Sequence, residues 1–323
     1  MVLTLPMFLA LRERFPTARL TLFTRSYVGD LVEGLTCIDE VVYVDKAVPS
    51  GAIPAGPIDT TPETFDLRSA IRLRGIDTVF FPRATFNEAW TAFRARVRNR
   101  IGTANRWYSR LYTTRIREHR SHAEFHEAEY NVRMILHAFG PPQPTVHLVR
   151  PMAKPAPSGG MLESTHTHDP ASMGYIVVHP GSMGSSPRWP IECFGNAAQR
   201  LRTETGCQIV VTGVDSESAL CATVAAMCPD ALNVCGKYTL GEMMSVLAGA
   251  KLLIANATGT LHLAASLGTP VVGFYPNAVA IGATRWRPYT TLARVLTSTA
   301  NDDMATITVE DCVRAAHELL LTS

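Results

Sequence analysis

Three things are missing from this 323-residue sequence: an export signal, a run apolar enough to cross a membrane, and a cysteine pattern that staples or metallates a small fold. The first residues, MVLTLPMFLALRERF, have no charged n-region, long h-region or small-residue cleavage site, so export is not indicated. The most apolar long stretch, Val246–Tyr275, is interrupted by Lys251, Asn256, His262 and several glycines. No run therefore reaches the ~18–20 residues that span a bilayer. The seven cysteines (37, 193, 207, 221, 228, 235 and 312) form no CxxC pair and are odd in number. They read as free thiols in a reducing compartment. Net charge is also scarce: the total is only +2, which gives no general signal for nucleic acid. A soluble cytoplasmic protein is the expectation.

What is present is an ordinary globular composition, 46% apolar and 18% charged. At roughly 100–200 residues per domain, the length favours two domains. Seven of the 21 prolines fall between Gly140 and Pro170, together with SGG and the polar run ESTHTHD, and mark the interdomain connection. The expected division is an N-terminal domain over 1–150, a proline-rich linker over 151–172 and a C-terminal domain over 173–323, whose last helix is a candidate to pack back on the first domain. Before the linker the pattern predicts helices at Leu3–Phe15, Tyr27–Glu33 and Glu63–Arg74 and strands at Leu20–Thr24, Glu40–Val44 and Thr78–Phe81. After it come strands at Tyr175–His179, Gln208–Thr212, Leu252–Ala255 and Pro270–Phe274, with helices at Ile191–Thr205, Ser216–Met227, Leu240–Ala248 and Gly259–Leu267. Capping boxes at Thr239/Glu242 and Thr308/Asp311, and Pro190 in a first-turn position, support the boundaries. Alternation of this kind specifies α/β architecture with parallel sheets, two doubly wound halves.

Two segments carry candidate chemistry. The strand Tyr175–His179 runs into His179-Pro-Gly-Ser-Met-Gly-Ser-Ser-Pro-Arg-Trp-Pro190, a small-residue loop whose backbone amides, near a helix start, suit phosphate. It is neither a Walker loop nor GxGxxG, and an ordinary strand-to-helix turn is the plain alternative. The second segment, Ala255-Asn-Ala-Thr-Gly-Thr-Leu-His262, places Thr258, Gly259 and Thr260 at another helix N-terminus. Two anion-friendly helix starts at strand C-terminal ends converge on the crevice where such sheets bind ligands, which points to a nucleotide site. His262 is either a ligand residue or a helix histidine. Glu217 is placed to accept hydrogen bonds from ribose hydroxyls, or simply to favour a helix N-terminus.

The small net charge conceals an asymmetry. Between Arg83 and Arg120 there are ten arginines against Glu88 and Glu118, interleaved with Trp90, Phe93, Trp107, Tyr108 and Tyr112. Arginine forks suit phosphate and carboxylate, and such a patch also attracts anionic lipid headgroups; a solvated helical face is the alternative. No nucleic-acid module accompanies it. The His166-Thr-His168-Asp169 run has metal-ligand residue types but lies in the linker and reads as solvated.

The segments HPGS…RWPIECF, VVTGVDSE and NATGTLHLAASLGTPVVGFYP, with VLTLPMFLALRERFPTARLTLFTR, IDEVVYVD and HEAEYNVRMILHAFG, make the chain resemble the bacterial lipopolysaccharide heptosyltransferases, family nine of the glycosyltransferases, over nearly its whole length. The resemblance implies the GT-B fold, two Rossmann-like domains facing a cleft. It also implies inverting, metal-independent transfer of heptose, or a related sugar, from ADP-heptose or a similar donor to a lipopolysaccharide core or related glycan. It assigns Ser182, Ser185, Ser186, Thr258, Gly259, Thr260 and His262 to diphosphate and sugar, Glu217 to the nucleoside and Tyr238 to the neighbourhood of the base. Arg188 is the nearest substitute for a lysine that many members carry one residue earlier, where this chain has Pro187. For the anionic, lipid-linked or oligosaccharide acceptor, Arg83 and Arg106 are the choices, with peripheral contact at the inner membrane's cytoplasmic face. No cofactor is expected.

Departures accompany the likeness. Ala257 stands where the family often has aspartate. Relatives also place a strand and a Gly-Asp loop, holding the proposed general base, ahead of the stretch matching VLTLP. The expectation is that Met1 is an internal methionine chosen as the start, so no catalytic base is assigned within 1–323. A non-catalytic nucleotide-sugar or glycan binder and a GT-B-shaped sugar-nucleotide epimerase are the competing readings.

Overall fold

The structure is a computed structural model that describes residues 1–45, 66–83, 85–153, 174–300 and 302–321. Most of the expected linker, the His166–Asp169 run and the first residues of the helix expected over Glu63–Arg74 lie outside the described residues. The chain divides into two compact units, Leu3–Val149 (with Met1) and Arg150–Ser323.

In the first unit a 3-10 turn, Val2–Thr4, leads into α1 (Leu5–Arg14), followed by β1 (Thr21–Thr24), α2 (Gly29–Val32) and β2 (Glu40–Tyr43). Then come α3 (Leu67–Leu73), β3 (Thr78–Phe80), α4 (Phe86–Arg94), β4 (Asn99–Thr103), β5 (Thr114–Ile116) and α5 (Glu127–Phe139). All described strand pairs are parallel, in two separate sheets, β1-β2 and β3-β4-β5. One apolar cluster joins Met7 and Leu11 of α1 to Ile101, Ile116 and Ile135, and another gathers Ile71, Ala92 and Val97 with Phe23 and Val79. Side chains close the helix starts: Asp66 accepts from two amides of α3, and Thr85 with Glu88 and His126 with Glu129 form capping boxes.

The arginine-rich stretch is not one helical face. It folds as α4, β4, a 3-10 turn at Ser109–Leu111 and β5. The strand NRIGT buries only Ile101 and Gly102, and a Cβ on Gly102 would come within 2.5 Å of the Tyr112 ring, so a close ring-on-backbone approach forms the strand rather than an apolar run.

The second unit contains β6 (Tyr175–His179), α6 (Ile191–Thr205), β7 (Gln208–Val211), α7 (Ser218–Met227), β8 (Leu232–Asn233) and α8 (Leu240–Ala248). It continues with β9 (Leu252–Asn256), α9 (Gly259–Leu267), β10 (Val271–Tyr275), α10 (Ala283–Trp286), β11 (Ala293–Thr297) and α11 (Val309–Leu320). Its parallel sheet has the order β11-β10-β9-β6-β7-β8. Runs such as YIVVH, LLIAN and VVGFY are buried along their whole length because helices cover both faces. The capping boxes at Thr239 and Thr308 form as expected. Pro190 instead serves as N-cap of α6, with ψ 139°, one position before the first turn. Helix α11 packs on α6, β9, β10 and β11 within this unit. Chain direction across the sheet reverses between β6 and β9, so the loops leaving these two strands emerge side by side at the carboxyl edge, where open α/β sheets bind ligands.

Candidate functional site

The loop after β6 is shaped by its own hydroxyls. Ser185 donates its backbone N–H and its Oγ to the Ser182 carbonyl (2.8 and 2.7 Å), and Ser182 Oγ donates to the Ser186 carbonyl (3.0 Å). Met183 and Gly184 both take left-handed conformations, φ 45° and 74°. That is easy for glycine and costly for an exposed methionine, so the surroundings must hold the turn.

Glu217 supplies much of that hold. It ends the 3-10 turn Asp215–Glu217 and is buried beneath the loop, where Oε1 accepts from the Met183 amide (3.0 Å) and Oε2 from the Val214 amide (3.3 Å). A Cβ on Gly181 would lie 2.1 Å from this carboxylate, so only glycine lets the loop pass over it.

Asn256, the fully buried last residue of β9, ties the neighbouring strand to the same loop. Its Nδ2 donates to the carbonyls of Pro180 (2.8 Å) and Gly181 (3.4 Å), and its Oδ1 accepts from the Trp189 amide (2.9 Å). Trp189 anchors the far end of the loop, stacked 4.2 Å from Phe274 with its indole N–H on the Ile307 carbonyl (2.8 Å). His179 lies below, with Nδ1 3.0 Å from Thr212 Oγ1 and Nε2 3.4 Å from Thr260 Oγ1. Burial lowers its pKa from the usual histidine range, and the nearby Glu217 charge partly opposes this.

Across from the loop stands the N-terminus of α9. Thr258 is its N-cap in an extended conformation (φ −132°, ψ 171°), but its side chain caps no amide. The Thr258 Oγ1 and Ser186 Oγ atoms are both buried with no hydrogen-bond partner among the described residues. A Cβ on Gly259 would meet nothing within 4 Å, so space opens above the first turn of α9. Ser185 Oγ reaches the Ala257 carbonyl at 3.5 Å and joins the two loops. Uncapped helix amides, two unspent hydroxyls and open space form a site suited to an anionic group.

The structure thus brings together Ser182, Ser185, Ser186, Glu217, Thr258, Gly259 and Thr260. His262 sits half-buried one turn along from Thr258. Arg188 is exposed and pairs with no carboxylate among the described residues. Tyr238, half-buried before α8, is hydrogen-bonded to neither loop; burial, then the Glu242 charge, raise its phenol pKa. The expectation of two converging helix starts is corrected in one respect: Pro187–Pro190 separates the serine loop from α6, so α9 alone supplies helix amides next to Ser185 and Ala257. Sequence reasoning missed Asn256, Thr212 and the role of His179. A polar residue closing the apolar run LLIAN was the available signal for Asn256.

In the first unit Arg83, just past β3, and Arg106 are exposed. Two of the ten arginines are engaged internally. Arg100 donates to the Leu111 and Val97 carbonyls, and Arg120 pairs with Glu127 and Asn131. The other eight are exposed, with no carboxylate partner among the described residues. No group of three or more His, Cys, Asp or Glu side chains among the described residues is placed to hold a metal ion, and no described helix is long and apolar enough to cross a membrane.

A Haemophilus influenzae protein provisionally named as a glycosyltransferase is 26% identical over 299 residues, 88% of this chain and 81% of its own length. The crystal structure of a family 9 glycosyltransferase from Veillonella parvula matches with a TM-score of 0.78 at 20% identity, covering 100% of this chain and 94% of that one. Escherichia coli ADP-heptose lipopolysaccharide heptosyltransferase II matches with a TM-score of 0.75 at 18% identity, covering 100% and 95%. These likenesses establish the GT-B fold of the heptosyltransferases. The model of glycosyltransferase family 9 (heptosyltransferase) matches residues 65–316, and the chain belongs to that family.

Proposed function

We propose that this glycosyltransferase moves heptose, or a closely related sugar, from ADP-heptose to a lipopolysaccharide core or similar anionic glycan. The observation that carries this reading is the meeting of the serine loop and α9 at the sheet's switch point, with the Ser186 and Thr258 hydroxyls buried and unspent. A diphosphate leaving group supplies the acceptor atoms these donors lack. The first amides of α9, Ser186 and Thr258 stabilise charge as it develops on that group, with Thr260, His262 and Arg188 beside the sugar and phosphates. Glu217 retains lone pairs for ribose hydroxyls beyond the two amides it accepts, and Tyr238 is assigned to the base. The acceptor hydroxyl, once deprotonated, displaces the nucleoside diphosphate in one step with inversion. The base is assigned to no residue of this chain. Arg83 and Arg106 are assigned to the acceptor's phosphate and carboxylate groups. The transfer is proposed to run without metal, at the cytoplasmic face of a membrane.

The test is calorimetric titration with ADP and with nucleotide sugars of different bases, followed by transfer assays with and without chelator. Tight ADP binding and acceptor-dependent release of ADP are expected, unchanged by chelator. Donor binding without transfer selects the non-catalytic reading, and a changed sugar nucleotide without acceptor selects the epimerase.

A further inference from the structure

Two thiols and a carboxylate converge on one backbone position beneath the serine loop. A Cβ on Gly213, which follows Thr212 just past β7, would lie 2.6 Å from Cys221 Sγ, 3.2 Å from Cys235 Sγ and 3.4 Å from Glu217 Oε2. The sulfurs bracket the glycine. Cys221 Sγ donates to the Thr212 carbonyl (3.4 Å) on one side and Cys235 Sγ to the Val214 carbonyl (3.2 Å) on the other, and the two thiols lie within hydrogen-bonding reach of each other. Cys221 comes from the first turn of α7 and Cys235 from the loop after β8, so only the folded unit makes the pair.

The two thiols differ in access. Cys221 is fully buried, and burial, then the neighbouring Cys235 and the Glu217 charge, push its thiol above the usual range, so it stays protonated. Cys235 is half-buried and can be reached. A buried thiol alone behaves as a small apolar side chain, but a reachable thiol against a buried one can react while its neighbour resolves. We propose that Cys221 and Cys235 are a disulfide-forming site that takes low-molecular-weight disulfides and, once closed, loosens the serine loop. The Cys235 thiolate attacks the reagent's S–S bond; a new S–S bond joins Cys235 to one half, and the other half leaves as thiolate and takes up the proton that Cys235 lost. Cys221 then attacks the Cys235 sulfur, the bond from Cys235 to the reagent breaks, and the Cys221 proton goes to the second departing thiolate. Two protein thiols are thus oxidised to one disulfide, and one reagent disulfide is reduced to two thiols. Glu217 carries the effect to the loop. It lies one turn before Cys221 and holds the Met183 and Val214 amides, while closure withdraws both thiol hydrogen bonds from the carbonyls flanking Gly213. The site depends on neither donor nor turnover; only the expected loss of ADP affinity rests on the donor reading above.

The full chain is treated with oxidised glutathione and its disulfides are mapped by peptide mass spectrometry, with hydrogen exchange over residues 180–186 and 213–217 and calorimetric ADP binding measured before and after. A Cys221–Cys235 bridge that retains no glutathione is expected. Exchange at the Met183 and Val214 amides should be about tenfold faster and ADP affinity about tenfold lower, both restored by dithiothreitol. Cys235→Ser should bind ADP as the reduced wild type does and form no bridge, and Cys221→Ser should stop at a glutathione adduct on Cys235. A wild-type chain that keeps glutathione on Cys235, leaves both thiols reduced, or closes the bridge without faster exchange would overturn the proposal. A faulty donor reading shows differently: ADP then fails to bind the reduced protein or binds both forms alike, while the bridge and the exchange still decide the proposal.

Discussion

The two units treat their strands differently. In the second, every residue of β6, β9 and β10 is buried, and one large apolar cluster runs from Ile176 through Trp189 and Phe274 to Leu319. In the first, β1, β2 and β3 are largely half-buried, the described strands divide into two sheets, and the apolar clusters among the described residues include small ones such as Ile71, Ala92 and Val97. The first unit keeps Phe86, Trp90, Phe93 and Trp107, and eight of the ten arginines between Arg83 and Arg120, at the surface. The difference fits the donor and acceptor roles proposed above for the two units. Amides and hydroxyls that must be aimed before a diphosphate arrives need a scaffold with little freedom, which the buried sheet supplies. The exposed arginines proposed for the acceptor's anionic groups need reach instead.

The sharpest way to break that contrast is at Trp189. Trp189→Ala removes a fully buried ring from the cluster beneath the serine loop and leaves the Ile307 carbonyl unpaired, so we expect a loss of about 3–5 kcal/mol in urea unfolding. A loss below about 1 kcal/mol would mean that the second unit is no more tightly built than the first. Asn256→Leu is next. It keeps the branched shape but strands the Pro180 carbonyl and the Trp189 amide, at about 1–3 kcal/mol each, and ADP affinity should fall with it because the loop loses its tie to β9. Full ADP affinity in this variant would show that the loop keeps its shape without the tie to β9.

How much of this was legible follows from the same contrast. The spans of β6, α6, α8 and α9 were readable to the residue, because apolar runs rich in branched side chains end in glycine, proline or a capping threonine. Strands β4 and β5 and helix α4 were hidden by the arginines: NRIGT shows no alternation, and its Gly102 makes sense only against Tyr112. In the site, the serine loop and Thr258–Thr260 were visible because small residues cluster there. Asn256 was not, since one asparagine at a strand end has no period, and its partners lie some seventy residues away in sequence. Glu217 was readable as an acid near a helix start, but its place under Gly181 depends on two loops meeting only after the sheet has formed.

A smaller effect comes from pH. His179 is buried and its folded pKa lies below the usual 6.5, so below that pH the unfolded chain takes up a proton that the folded chain refuses. Its contribution to stability is therefore present above pH 6.5 and drains as pH falls toward the folded value. We expect wild-type urea midpoints to drop between about pH 8 and about pH 5, and His179→Gln to flatten that drop. An equal drop in the variant would place the titrating group elsewhere.

The smallest effect is expected at Trp107. Its ring is as large as that of Trp189 and stacks on Phe86 at 4.8 Å, yet it is 78% exposed, so truncation removes little buried area and orphans no hydrogen bond. Trp107→Ala should change unfolding stability by about 0.5 kcal/mol or less, against the several expected for the same substitution at Trp189. The comparison holds residue type fixed and varies only surroundings. A cost above about 1.5 kcal/mol would make the stacked Phe86 and Trp107 rings part of the first unit's core.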